Sequence, residues 1–92
     1  MKVSVEYTAQ LRLHTGCPSE EFEVPAGATP RDLLRLIAER HGGAVRGMLL
    51  RPDGTPAPTI LCFIGDQQIA WDQPPALPDG ARVSLMSPIA GG

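Results

Sequence analysis

One stretch of this chain carries a complete set of helix signals, and it constrains everything around it. In "ATPRDLLRLIAERHGG", Thr29 stands where an N-cap belongs and Pro30 at the first helical position, where its missing N–H costs nothing. Asp32 follows in the first turn, at the positive end of the helix dipole. Leu33, Leu34, Leu36, Ile37, Ala38 and His41 fall on one broad face, and Arg31, Asp32, Arg35 and Glu39 on the other. Arg40 and His41 occupy the last turn, and Gly42 or Gly43 suits a left-handed residue beyond it. A single helix with one apolar face cannot bury that face on itself, so the flanking segments must supply a sheet.

They have the pattern for it. "VSVEYTAQLRL" alternates, with Val3, Val5, Tyr7, Ala9, Leu11 and Leu13 on one parity. That is a strand with one wet face, although its length predicts irregularity toward the end. "HTGCPS" reads as a turn. "EEFEV" then points Phe22 and Val24 inward and Glu21 and Glu23 outward, which completes an N-terminal hairpin. Beyond the helix, residues 44–50 suit either a helical turn or a strand, and "RPDGTPAP" is a loop. "TILCFI" is an apolar strand, Gly65-Asp66 a tight turn into "QQIAW", and "RVSLMS" a last strand with Val83 and Leu85 inward. Leu77 plugs the core from a Pro-rich connection. The expected fold is α+β, one main helix on one face of a mixed sheet, with Leu33, Leu34 and Ile37 against Val3, Val5, Ile60 and Val83.

The 92 residues suffice for one domain with one modest core. A net charge of −2 argues against nucleic acid or an anionic membrane as the main partner. Two cysteines make no disulfide framework, no signal-peptide pattern opens the chain, and no stretch approaches a membrane span. These features predict a cytoplasmic protein.

Enzymatic motifs are missing from the sequence. His14, His41, Cys17 and Cys62 lack metal-ligand spacing, so no metal site is expected. Two cysteines are too few for an iron–sulfur cluster. Cys62 reads as core and Cys17 as exposed, while His41 reads as packed or capping and His14 as solvated. Glu20, Glu21 and Glu23 read as a solvated acidic run. Neither a phosphate loop nor a nucleophile elbow is present, and no cofactor is expected.

The end of the sequence is different. "SPIAGG" closes on two residues without a Cβ, suited to a narrow enzyme channel and open to φ values that other residues avoid. Together with the preceding stretch, "LPDGARVSLMSPIAGG" resembles the ubiquitin-like sulfur carriers related to the small subunit of molybdopterin synthase and to the thiamine sulfur carrier. The segment "LRLHTG" is similar to several of these carriers as well. The resemblance implies a β-grasp fold over residues 1–87 and a flexible donor tail over residues 88–92. It implies that an E1-like enzyme adenylates Gly92 with ATP, that the carboxyl becomes a thiocarboxylate, and that the sulfur passes to an accepting synthase subunit or enzyme. Gly92 is then the reacting residue, and Gly91, Ala90, Ile89, Pro88 and Met86 contact partners. "PIAGG" looks more like the molybdopterin-type ending than the thiamine-type one. The stretch from Ala44 to Pro58 is longer than in short carriers.

Two other readings compete. One is a protein modifier conjugated through Gly92, whose self-chains would be restricted because Lys2 is the only lysine. The other is a β-grasp interaction module with an incidental tail.

Overall fold

The computed structural model describes residues 1–87. The chain runs β1 (Lys2–Tyr7), α1 (Ala9–Thr15), β2 (Ser19–Glu23), α2 (Pro30–His41), α3 (Gly43–Leu49), β3 (Leu61–Ile64), β4 (Gln67–Gln68) and β5 (Arg82–Met86). The strands form one sheet in the order β2-β1-β5-β3-β4. The first and last strands, β1 and β5, pair in parallel at its centre, and all other neighbours are antiparallel.

The central helix follows its sequence signals closely. Thr29 and Asp32 form a reciprocal capping box, with the Thr29 N–H donating to Asp32 Oδ2 at 2.9 Å. Leu33, Leu34 and Ile37 are buried in one cluster with Val3, Val5, Ile60 and Val83, as expected. Each such side chain contributes about 1.5–3 kcal/mol by leaving water. Leu77 is buried too, and its N–H donates to the Ala28 carbonyl at 2.7 Å, which ties the Pro-rich connection to the entrance of α2. At the far end, Gly42 has φ 60° and ψ −162°, a conformation essentially confined to glycine. It lets the chain leave α2 and enter α3 without a loop.

Two expectations from the pattern need correction. The alternation through Leu13 does not continue as a strand, because β1 stops at Tyr7 and Ala9–Thr15 is helical. Both neighbouring strands run out at that point: Glu6 faces Ser19, the first residue of β2, and Tyr7 faces Leu85 near the end of β5. A longer β1 would carry unpaired backbone groups. Helical spacing instead buries Leu11 completely and leaves Leu13 72% exposed, where strand parity had put both inward. Ala9 makes the switch with φ 50°, and Gly16 ends α1 with φ 78°. Second, α2 is not the only helix. Residues 43–49 resolve to α3, which packs Val45 and Leu49 into the core. The segment after it is a compact loop in which Asp53 accepts from the Thr55 N–H at 3.0 Å. The strand expected in "QQIAW" is only two residues long.

Candidate functional site

Residues Arg82–Met86 carry the chain out of the sheet centre toward the terminal segment. Val83 and Leu85 anchor this strand in the core, and Met86 points to the opposite face and is 40% exposed. Its cross-strand partner on β3 is Leu61, which is 38% exposed. Phe63, two residues along β3 and therefore on the same face, is half-buried and faces Ser84. Leu61, Phe63 and Met86 thus form an apolar patch on the sheet face that α2 does not cover. Beside it, Thr8 Oγ1 donates to the Leu85 carbonyl at 3.3 Å, so the start of α1 is fastened to the strand just before the terminal segment. Of the partner-contact residues expected from sequence, Met86 is exposed where it was placed. Pro88, Ile89, Ala90, Gly91 and the reacting Gly92 lie outside the described residues.

Nothing in the sequence signals that Leu61 is exposed, because "TILCFI" is a continuous apolar run in which neither face is marked by polar residues. The strand is half-exposed, with Cys62 inward and Leu61 outward.

One cluster was missed outright. Glu20 is not a solvated carboxylate, since its side chain is only 16% exposed. Tyr7 donates its hydroxyl to Glu20 Oε2 at 2.6 Å, His41 Nε2 bonds to the same oxygen, and Arg40 donates to Oε1 at 3.0 Å. Arg40 also donates to the Glu21 carbonyl at 3.1 Å and stacks over Phe22, 3.8 Å from the ring centroid. Burial alone would raise the Glu20 carboxyl, but hydrogen bonds from Tyr7, His41 and Arg40 outweigh it and hold the group below the usual range. Burial first, and then the Glu20 carboxylate, push the Tyr7 phenol upward. This cluster ties the end of α2 to β2 and β1. A signal existed: Glu20 shares the inward parity of Phe22 and Val24, and His41 lies on the apolar face of α2.

Neither cysteine lines the apolar patch. Cys62 is buried, and burial pushes its thiol up to about 12, so it stays neutral and unreactive near pH 7. Cys17, expected to be exposed, is half-buried and packs partly against the core. A double Cys17→Ser, Cys62→Ser variant should therefore still accept sulfur while it remains folded. Whole-protein mass spectrometry alongside circular dichroism checks this, and loss of sulfur acceptance in a folded variant would point to a persulfide on one thiol. Among the described residues, no group of three or more His, Cys, Asp or Glu side chains is placed to hold a metal ion. No helix among them is long and apolar enough to cross a membrane.

A mixed sheet with parallel first and last strands, one main helix across it and a terminal segment leaving the central strand is the ubiquitin-like β-grasp arrangement. The sequence matches the model of the ThiS family over residues 5–92, and the chain belongs to that family. It is therefore a member of a group of small ubiquitin-like sulfur carriers and small subunits, which are not enzymes by themselves.

Solved structures agree on the fold. The crystal structure of SAMP1 from Haloferax volcanii superposes with a TM-score of 0.87 at 22% identity, covering 100% of both chains. A putative molybdopterin converting factor subunit 1 from Pyrococcus furiosus gives 0.74 at 28% identity, covering 97% of this chain and 99% of the other. A chain in the BexX/CysO complex of Amycolatopsis orientalis gives 0.71 at 25% identity, covering 98% and 99%. No curated protein matches the sequence significantly.

Proposed function

We propose that this protein carries sulfur as a thiocarboxylate on Gly92 and delivers it to a molybdopterin-type synthase subunit. The observation that carries the reading is the extent of the family match, which runs through Pro88-Ile89-Ala90-Gly91-Gly92 to residue 92. The "PIAGG" ending and the likeness to a putative molybdopterin converting factor subunit, at 28% identity, support that acceptor.

The chemistry follows from the weakness of a carboxylate as an electrophile. An E1-like enzyme brings ATP to Gly92, the carboxylate attacks the α-phosphorus, and pyrophosphate leaves. A sulfide equivalent adds to the carbonyl carbon of the resulting acyl-adenylate, and AMP departs with the C–O bonding pair. In this reading residues 1–87 are the handle and residues 88–92 the arm. The patch of Leu61, Phe63 and Met86 is the apolar contact at the base of that arm, Pro88 stiffens the exit, and Ile89 supplies a grip. In this reading the need for ATP calls for a compartment that holds ATP, and the cytoplasm is the proposed one.

The test is direct. Incubation with the E1-like adenylating enzyme of the same organism, ATP and a sulfur donor should add the mass difference of one oxygen replaced by sulfur. Accumulation of isopeptide conjugates in place of the thiocarboxylate would favour the modifier reading.

The grip has its own prediction. Ile89→Asp and Met86→Asp each bring an unpaired charge to a surface that the enzyme must dry, at a cost of about 3–5 kcal/mol. Each should raise the Kd for the adenylating enzyme by roughly a hundredfold or more. Unchanged titration calorimetry for both variants would remove this surface from the contact.

A further inference from the structure

The short helix α1 carries two features that core packing does not explain. Ala9 enters it at φ 50°, the only positive φ outside glycine among the described residues. Alanine is disfavoured there, since it has no polar side chain to bond its own backbone. Leu13 lies in the last turn and is more exposed than Leu61 or Met86. Leu11 anchors α1 in the core, and helical spacing turns Leu13 to the other side.

Leu13 borders a shallow cleft that Arg12, Gly16, Cys17 and Pro18 also line. No Asp or Glu occurs between Glu6 and Glu20, so this segment carries Arg12 and His14 and no carboxylate. Both basic residues are exposed, and Arg12 makes no ion pair among the described residues. The bordering carboxylates are engaged elsewhere. Glu20 is bonded to Tyr7, Arg40 and His41, and Glu6 lies on the outer sheet face with Arg82 as its diagonal neighbour. The helix that packs against α1 is α3, which adds Arg46 and no carboxylate.

Placement ties this patch to the terminal segment. Thr8 Oγ1 donates to the Leu85 carbonyl at 3.3 Å, so α1 starts beside the end of β5. At about 1.5 Å per residue, Leu13 stands about 7.5 Å along α1 from Thr8. A partner that takes the terminal segment and covers an interface of ordinary size reaches that far. Because α1 packs against α3, the patch belongs to the helical layer and is separate from the sheet face of Leu61, Phe63 and Met86.

We propose that α1 docks the sulfur-accepting synthase subunit, through an apolar depression for Leu13 bordered by an Asp or Glu that meets Arg12. Charge selects that chemistry, because an apolar or basic border would dry the Arg12 guanidinium without compensation. The inference rests on the carrier reading, which supplies two successive partners and leaves the sheet face to the adenylating enzyme. A separate surface lets the acceptor be told from that enzyme although both take the same arm.

Titration calorimetry of the full chain with the synthase subunit of the same organism tests this, beside thiolation by the adenylating enzyme. Leu13→Ser and Arg12→Glu should each raise the Kd for the synthase subunit at least about tenfold. The wild-type Kd should rise with salt, and that of Arg12→Glu should rise less. Thiolation rates of both variants, read by mass spectrometry, should stay at the wild-type value. The control is Arg51→Glu, the same charge change at an exposed position outside the patch, and it should bind as wild type does. Melting temperatures check that each variant folds. An unchanged Kd in either α1 variant, equal weakening in the control, or a loss confined to thiolation overturns the proposal and leaves the carrier reading standing. Wild type that is thiolated but does not bind the synthase subunit overturns it as well. Wild type that the adenylating enzyme does not thiolate overturns both readings together.

Discussion

Adding one residue after Gly92 should abolish thiocarboxylate formation, and Gly92→Val should reduce it by at least about a hundredfold. The reacting atom is the terminal carboxyl carbon, and one extended residue moves it roughly 3.3 Å. Displacement by about 1 Å from productive geometry costs on the order of a hundredfold in rate. Valine keeps the carboxylate in place but adds a branched Cβ where the proposed channel must be narrow, and it cannot adopt the φ values open to glycine. Neither change alters a residue of the core cluster formed by the described residues, so both variants should melt near the wild-type temperature. Mass spectrometry after incubation with the adenylating enzyme, ATP and a sulfur donor decides the matter. An extended variant thiolated as fast as wild type would return "SPIAGG" to an end with no chemical role.

The features that were legible in the sequence are those set by short-range physics. Thr29, Pro30 and Asp32 fix the start of α2 within one turn of chain, and the period of Leu33, Leu34 and Ile37 fixes its buried face. Strand parity was equally reliable at Val3, Val5, Val83 and Leu85, where pairing partners exist on both sides. It failed at Leu13 because a strand needs neighbours, and the lengths of β2 and β5 are not written in the segment that would have paired with them. The exposure of Leu61 was hidden for the same reason: an apolar run shows one face or two only once its sheet has a covered side. Glu20 was misjudged because a carboxylate's surroundings come from residues distant in sequence, here Tyr7, Arg40 and His41. The proposed reactive end is a reading of the opposite kind, since its chemistry would reside in the terminal residues themselves and would need little from the fold.

Removing the Glu20 carboxylate should destabilise the fold, although the residue lies at the edge of the core. Glu20→Ala leaves the Tyr7 hydroxyl, His41 and one Arg40 contact without their acceptor in a largely shielded site, and the expected loss is about 2–3 kcal/mol. For a domain of this size that is a fall in Tm on the order of 10–20 °C, measurable by calorimetry. Glu20→Gln keeps the shape and one acceptor and should fall between Glu20→Ala and wild type. The pH dependence separates charge from packing. Glu20 is held below its ordinary value of 4.5, so its contribution is present above that pH and is lost as pH falls through the folded-state value. Urea titrations between about pH 6 and about pH 3 should show wild type losing more stability than Glu20→Gln, with the two converging at the acid end. Parallel curves would mean that the carboxylate is held by packing alone. The effect should reach the terminal segment as well. Glu20 binds Tyr7, and Tyr7 pairs with Leu85, one residue before Met86. Amide exchange in Glu20→Ala should therefore speed up first in β2 and the last turn of α2, and next at the Tyr7–Leu85 pair near the end of β5.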